Sequence, residues 1–327
     1  MHAALPVWFE IGSMVILTLI LIADVLIIFK RPHIPSAKES TAWVVFYALL
    51  AIAFGGVIAW LGNAEAASQF YAGWLTEYSL SVDNLFVFVI IMSRFAVPKK
   101  YQQEVLMVGV VMALVLRGLF IIAGAALIQT FSAIFYIFGA FLIYTAYHQA
   151  FRTEDDEEES ESKLIVMLRK RITVSKDFDG AKIRTVVDGK KVFTPMIVVF
   201  AAIALTDVMF AFDSIPAIFG ITTDAFIVFA ANVFALMGLR QLYFLLGGLL
   251  DKLEYLKYGI AFILGFIGFK LIAHAMHENE LPFINGGHHI DWAPEISTNT
   301  SLIVIVASIS VAAIASAVKI KLTAKSQ

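Results

Sequence analysis

The sequence predicts an all-α membrane protein with about nine transmembrane helices, six of which form a 3+3 inverted-topology repeat. Three observations lead to this fold class: the hydropathy of the chain, the distribution of its basic residues, and the recurrence of one pattern of acidic residues. Of the 327 residues, 60% are hydrophobic and 28 are Phe, and the mean hydropathy is +0.84. These values lie outside the usual range of soluble domains.

Nine apolar segments are long enough to cross a bilayer, whose core of about 30 Å requires about 20 residues of helix. We place them at 9–29, 41–62, 70–93, 105–128, 131–151, 195–219, 225–250, 258–276 and 300–318. No basic residue precedes the first segment, which we therefore interpret as a retained span rather than a cleaved signal peptide. Cysteine is absent, which excludes disulfides and thiolate metal sites.

Lys and Arg orient the spans, because cytoplasmic loops collect basic residues. Alternate connections and the C-terminal tail hold 21 of the 24 Lys and Arg, and the other connections hold none. We therefore expect a multi-pass protein of the lipid bilayer with its N-terminus outside and its C-terminus in the cytoplasm. The net charge of −2 gives no indication of nucleic-acid binding.

A repeat is indicated by pairs of residues that recur in the same order. The pairs are Glu77 and Asp83 with Asp207 and Asp213, Arg117 with Arg240, and His148 with His274. Gly139 and Gly265 precede these two histidines by nine residues each, and the spacing therefore pairs the two glycines. Each repeat contains three helices, and because three is odd, the second repeat enters the membrane from the opposite side. Inverted repeats are typical of secondary transporters, whose substrate site lies near the midplane where the repeats meet.

The domain organisation follows from these spans. We divide the chain into 1–69 (two N-terminal helices), 70–151 (first repeat), 152–194 (cytosolic loop), 195–276 (second repeat), 277–299 (extracytoplasmic loop) and 300–327 (last helix and cytosolic tail). The cytosolic loop contains an acidic run at 154–161, expected to be solvated, with a tether or weak cation collector as the alternative. Residues 182–193 predict a β-hairpin with an Asp-Gly turn.

The extracytoplasmic loop concentrates histidines and acids. They are His277, Glu278, Glu280, His288, His289 and Asp291. Their spacing matches no tight metal motif, so we interpret the loop as polar surface, with delivery or receipt of metal as the alternative.

Five acidic residues fall deep inside the predicted spans, with Glu10 at the edge of the first span; acids are rare there and usually face a bundle interior or a watery cavity. The five deep acids are Asp24, Glu77, Asp83, Asp207 and Asp213. The basic residues inside spans are Arg117, Arg240 and Lys270. Mutual pairing therefore leaves a surplus of two negative charges, which a divalent cation or protons would neutralise.

Oxygen ligands of this kind suit Mg²⁺, Ca²⁺ and Mn²⁺. The expected set consists of Asp83 and Asp213 as core ligands, Glu77 and Asp207 as further ligands or proton acceptors, and Asn84 and Ser214 as additional oxygens. Six residues of helix rise ~9 Å and turn ~120°, so both acids of one repeat reach one ion only if the helix is broken. Pro216 is a candidate for such a break, and a simple kink is the alternative.

The basic residues within the spans have a different expected role. We interpret Arg117 and Arg240 as counter-ions that hold carboxylates when the site is empty. Lys270 occupies the position of Tyr144 in the first repeat, and it either acts similarly or makes a polar contact in helix packing.

Three further residues are candidates for gating or charge compensation. His148 and His274 end the third helices and are interpreted as interfacial or gating residues. Asp24 lies outside the repeat and is grouped with them. The sequence contains no catalytic motif of an enzyme, and we predict no cofactor.

Three segments resemble the TerC family, and in particular its Alx-type members. They are S-V-D-N-L-F-V-F from Ser81, Y-I-F-G-A-F from Tyr136, and D-V-M-F-A-F-D-S-I-P-A-I-F-G from Asp207. The resemblance covers about 70–270 and implies an inner-membrane protein of the LysE-like transporter superfamily that exports Mn²⁺. The family commonly has Lys after the first acid, where this chain has Tyr78, so a charge at that position is not implied here.

Three functions are compatible with these features. The first is export of a divalent cation, with Mn²⁺ implied by the resemblance and Ca²⁺ or Mg²⁺ as alternatives. The second is a LysE-like amino-acid exporter, which is disfavoured because no paired receptor for a carboxylate and an amine is evident. The third is a non-transporting membrane partner that supports metal loading, insertion of other proteins or stress resistance. Acids in symmetric pairs favour the first, since a scaffold does not need them.

Overall fold

The structure is a computed structural model that describes most of the chain. It covers residues 5–30, 35–130, 133–151, 175, 178–187, 190–246, 255–279, 281, 284–290 and 292–325. Within these segments the described side chains exclude those of 24–30, 82, 83, 86, 90, 94, 129, 130, 187, 190, 240, 246 and 320–325. The acidic run at 154–161 therefore lies outside the described residues.

Helices account for nearly all of the described chain. They are α1 (Val7–Lys30), α2 (Ala37–Leu61), α3 (Ala64–Arg94), α4 (Lys99–Thr130), α5 (Ile134–Phe151), α6 (Met196–Phe219), α7 (Ala225–Met237), α8 (Leu239–Leu246), α9 (Leu256–His277) and α10 (Thr298–Lys325). Four helices begin where a side chain accepts from free backbone N–H groups: Ser36 before α2, Asn63 before α3, Asp224 before α7 and Ser297 before α10. The predicted all-α membrane fold class is confirmed.

Seven stretches of the described chain are long and apolar enough to cross a membrane. They correspond to α2, α4, α5, α6, α7 with α8, α9 and α10. The apolar part of α1, Val7–Ala23, is shorter, and α3 extends over 31 residues but carries acidic and polar side chains along its length. Within the described residues, each of the nine predicted spans lies mainly on helix, and the count of nine transmembrane spans stays a prediction.

One predicted span differs in structure from its prediction. The segment expected at 225–250 is divided at Gly238, which caps α7 and whose N–H donates to the Leu236 carbonyl instead of continuing the regular helical pattern. The glycine lies against the ring of Tyr78. Hydropathy does not register such a break, because the residues on both sides of it are apolar.

The helices pack around α7. Val228, Ala230, Ala231 and Ala235 are fully buried, and large apolar side chains such as Trp60 on α2 are exposed on the outer helices. An exposed apolar surface of this extent is expected where helices face lipid. The two helices that carry the predicted acids of the repeats, α3 and α6, contact each other.

Contacts between the predicted repeats come in pairs that an exchange of the repeats would relate. Helix α3 packs on α7, and α4 packs on α6. A Cβ added at Gly73 would lie 3.4 Å from the Cβ of Ala231, and one added at Gly109 would lie 3.1 Å from Cγ2 of Ile203. Gly73 and Ile203 each lie four residues before the first acid of their own repeat. A pseudo-twofold axis between the repeats would produce this pattern.

The third helices, α5 and α9, cross at a pair of glycines. A Cβ added at Gly139 would lie 2.7 Å from the Gly268 carbonyl oxygen, and one added at Gly268 would lie 2.8 Å from the Gly139 carbonyl oxygen. The contact is reciprocal, as expected on a twofold axis. It relates Gly139 to Gly268 rather than to Gly265, the partner that the spacing to the histidines suggests, because glycine spacing does not determine where two helices cross.

The predicted hairpin is present. Strands β1 (Arg184–Val187) and β2 (Lys190–Phe193) pair antiparallel, with Val187 opposite Lys190, and the two turn residues lie outside the described residues. A hydrogen bond from the Thr185 hydroxyl, aided by Lys182, holds the pKa of Asp179 below its ordinary value. Thr194 lies just before α6 and donates its backbone N–H to the Ile183 carbonyl, which joins the hairpin to the start of α6.

The crossing of α5 and α9 yields a test of the packing. Gly268→Ala places a methyl group against backbone and should lower the free energy of unfolding by about 1–3 kcal/mol, the usual cost of overpacking. Thermal unfolding of the purified protein in detergent measures it. Gly265→Ala is the matched control, because its Cβ would meet only the Cβ of Ala146 at 3.6 Å. Equal stability of both variants would contradict the described crossing.

Candidate functional site

A buried arginine joins the central helices. Arg117 of α4 is only 1% exposed, and its Nη1 donates to Oε2 of Glu77 on α3. The same nitrogen donates to Oδ1 of Asn232 on α7 at 3.0 Å. Its Nη2 lies 3.5 Å from Oδ1 of Asp207 on α6. One guanidinium therefore binds groups from three other helices.

Two more polar residues border this cluster. In the amide orientation that satisfies both of its groups, Asn84 donates to the Leu80 carbonyl at 3.0 Å and accepts from Arg117 Nη2 at 3.3 Å. Ser214 lies beside Glu77, although its hydroxyl lacks the geometry of a hydrogen bond to any described residue. We call Glu77, Asn84, Arg117, Asp207, Ser214 and Asn232 the arginine cluster.

Several buried oxygens of the cluster have no donor among the described residues. They are Glu77 Oε1, Asp207 Oδ2 and Ser214 Oγ, together with Ser81 Oγ one turn along α3. Buried oxygens are normally hydrogen-bonded, so their accumulation in one place is unusual. With both carboxylates ionised, the cluster carries a formal charge of −1. Its unpartnered oxygens and its charge are both suited to a cation.

The described residues include no group of three or more His, Asp or Glu side chains placed to hold a metal ion. Two acids belong to the arginine cluster, and its remaining oxygens come from amide and hydroxyl groups. The side chains of Asp83, Arg240 and Asp24 lie outside the described residues. Their predicted roles stay predictions.

Asp213 has a different partner from the first acid of its helix. Its Oδ1 accepts from Thr145 Oγ1 of α5 at 3.0 Å, and no described contact links it to Glu77 or Asp207. Helix α6 continues through Pro216, so the two acids of this helix remain separated along its axis, as the geometry of six helical residues requires. The expectation that Asp213 adjoins the other acids has no support in the described contacts.

The remaining candidates lie at the helix ends. Lys270 Nζ donates to Ser301 Oγ at 3.2 Å, and no carboxylate of the described chain lies within ion-pair distance of it. His274 Nε2 lies 3.4 Å from Glu278 Oε2. His148 is exposed near the end of α5 and lies beside the ring of Tyr144. The contact of Lys270 is thus one of helix packing.

The extracytoplasmic loop is held by Asn279. Its Nδ2 donates to the carbonyls of Ile284 and His288, and its Oδ1 accepts from the Leu281 N–H. His277 Nε2 lies 2.9 Å from Glu295 Oε1. These contacts give the loop a defined structure without a described metal-binding group.

Asn232 and Thr145 are the polar partners that sequence reasoning missed. Each is one small residue in an apolar helix, and neither takes part in a recurring motif. A weak signal exists for Asn232, since an amide in the middle of a predicted span is uncommon and often hydrogen-bonds across helices.

Comparison with known proteins shows which family the sequence matches. The model of the integral membrane protein TerC family matches residues 62–322. An uncharacterised membrane protein of Mycobacterium bovis is 44% identical over 299 residues, which cover 89% of this chain and 75% of that protein. An Escherichia coli K12 protein named "Putative membrane-bound redox modulator Alx" is 39% identical over 270 residues, covering 80% and 84% of the two chains. No solved structure matches the chain.

The burial of the arginine cluster predicts a large effect of removing its cation. Arg117→Met leaves two buried carboxylates without a counter-ion and should cost about 3–5 kcal/mol of stability. The same substitution combined with Glu77→Gln and Asp207→Asn should recover part of that loss, because no uncompensated charge remains. Thermal unfolding in detergent compares them, with Lys182→Met, at a salt bridge on the surface, as the control. Wild-type stability of Arg117→Met would contradict the described network.

Proposed function

The chain belongs to the TerC family of integral membrane proteins, and we propose that it is a secondary transporter that exports a divalent metal cation, Mn²⁺ above others. The observation that carries the proposal is the arginine cluster, in which one acid from each predicted repeat faces the same guanidinium. The resemblance to the family's Mn²⁺ exporters selects the ion. The proposed location is the bacterial inner membrane, with the N-terminus outside.

The charges of the cluster indicate that the metal ion and Arg117 are alternative partners for the two carboxylates. Glu77 and Asp207 together carry two negative charges, which a divalent cation neutralises fully and one guanidinium neutralises by half. With both cations present, the cluster would carry a net positive charge, which is costly when buried. We infer that Arg117 holds the acids in the empty protein and withdraws from them when the ion binds.

The ligand chemistry favours a hard or borderline ion. The cluster offers carboxylate, amide and hydroxyl oxygens, and the chain has no thiol at all. Such a set suits Mn²⁺, Mg²⁺ or Ca²⁺ better than a thiophilic metal. Asp83 and Asp213 remain candidates for further ligands or for sites along the same path.

The paired contacts between helices support a transport mechanism. If α3–α5 and α6–α9 are inverted repeats, the cluster lies at their interface, where substrate sites of such transporters are found. Rocking of one repeat against the other would then expose the site alternately to the two sides of the membrane.

Three other functions are weaker alternatives. A relative's name refers to redox modulation, but this chain contains no cysteine, so a redox role here would be an indirect effect of ion transport. A non-transporting partner of other membrane proteins would not need buried acids at the contact between repeats. An amino-acid exporter would need a receptor for a carboxylate and an amine, and the arginine cluster carries a surplus of acid instead.

Transport by the purified protein tests the proposal directly. Proteoliposomes containing the wild type should take up Mn²⁺, and Glu77→Gln or Asp207→Asn should reduce uptake to the level of empty vesicles. Asp83→Asn and Asp213→Asn should also abolish it if they line the path, whereas Asp24→Asn outside the repeats should be milder. Folding is checked by size-exclusion chromatography. Equal loss of folded protein in all variants would favour a structural role for the acids.

Protons should compete with the metal ion for the carboxylates, because metal ligands bind in their deprotonated form. The KM for Mn²⁺ should therefore rise as the pH on the uptake side falls. Uptake by proteoliposomes at a series of pH values measures this dependence. A KM that does not change with pH would contradict carboxylate ligation.

Measurements in cells test independently whether the direction of transport is export. A strain lacking the protein should accumulate Mn²⁺ and become sensitive to it, and the wild-type chain should reverse both effects where Glu77→Gln does not. Elemental analysis measures the cellular metal. Unchanged Mn²⁺ upon deletion and overexpression would favour the non-transporting partner.

A further inference from the structure

Asn232 has both of its polar groups engaged. It is fully buried in α7, where its Nδ2 donates to the Val228 carbonyl one turn earlier at 3.1 Å. Its Oδ1 accepts from Arg117 Nη1 at 3.0 Å. The backbone contact fixes the orientation of the amide, and the oxygen is therefore held toward the guanidinium. Because α7 is the most enclosed helix of the bundle, this acceptor has little freedom to move.

The amide competes with a carboxylate for the same nitrogen. Arg117 Nη1 donates both to Glu77 and to Asn232. An acceptor that takes part of the donor capacity of Nη1 weakens the hold of Arg117 on Glu77. When a metal ion takes the carboxylates, the amide also remains as a partner for the guanidinium, which otherwise would be left buried and unpaired at high cost.

We propose that Asn232 is a positioning residue that sets the affinity for the transported cation by holding Arg117 partly away from Glu77. This inference rests on the proposed function and adds to it a residue that does not touch the ion. Asn232 acts on the ion only through the guanidinium. A stronger acceptor at residue 232 should therefore draw Arg117 further from the acids and raise the metal affinity, and a weaker acceptor should lower it.

Two substitutions should shift the affinity in opposite directions. Asn232→Leu removes the acceptor and returns Arg117 to the carboxylates, so the KM for Mn²⁺ in proteoliposomes should rise about tenfold. Asn232→Asp strengthens the acceptor and draws Arg117 away, so the KM should fall by a similar factor. A residue needed only for folding would lower the amount of active protein in both variants and leave the KM of the remainder unchanged.

The Arg117→Lys background distinguishes this role from direct ligation. A lysine keeps the charge but lacks the two-pronged donor that the amide and the carboxylate share. If Asn232 acts through Arg117, its two substitutions should change the KM by less than about twofold in that background, because the coupled residue has been altered. Shifts of unchanged size there would mean that residue 232 contacts the ion, and would overturn the inference.

The proposed function and the inference fail in different ways. A wild-type protein that neither takes up Mn²⁺ nor is thermally stabilised by it would overturn both. Wild-type uptake with no KM shift in Asn232→Leu, or with shifts of the same sign in both variants, would overturn the role of Asn232 alone. Thermal stabilisation by Mn²⁺ in detergent should follow the order Asn232→Asp, wild type, Asn232→Leu, and it serves as the readout that does not depend on transport.

Discussion

The contact of Arg117 with two buried acids determines how the central helices are oriented about their axes. A guanidinium removed from water must be matched by acceptors, and here they come from α3, α6 and α7, while the arginine itself comes from α4. Rotating any of these helices by one residue would turn its group through about 100° and leave a buried charge unpaired. The rotational setting of the four helices is thus determined by polar contacts, whereas the apolar contacts around them tolerate many arrangements.

This constraint explains why polar residues are distributed so unevenly. In the middle of the bundle they converge on one arginine. Near the start of α10 they form separate pairs between helices, such as Ser68 with Asn299 and Lys270 with Ser301. Helices in lipid gain little from burying apolar surface against each other, so packing and such hydrogen bonds determine which helices associate. The peripheral pairs fix α10 in place, and the central cluster joins α3, α4, α6 and α7.

The sequence predicts the fold well and the site in part, for physical reasons. Hydropathy predicts segments that lie mainly on helix in the described chain, because the bilayer imposes a length on a span. Spacing draws attention to the acids because few charges occur in such segments. The break at Gly238 has no hydropathic signal, and the partners of Asp213 and Arg117 depend on which helices touch. Thr145 and Asn232 resemble many other small polar residues until the packing brings them to a charge. Spacing to the histidines likewise pairs Gly139 with Gly265. The glycine that Gly139 contacts is Gly268, one helical turn further along, because the crossing of the two helices decides which residues meet.

Under the proposed function, the glycine crossing of α5 and α9 would act as the pivot between the two predicted repeats. Each backbone meets the other at Gly139 and Gly268, and Ile272 and Ile143 pack against the same pair of glycines, so the two helix axes are held close together at this point. A tilt of one helix about this point moves its two ends in opposite directions. In the proposed transporter, such a tilt would link opening at one membrane surface to closing at the other, which would prevent a continuous pore without a separate gate.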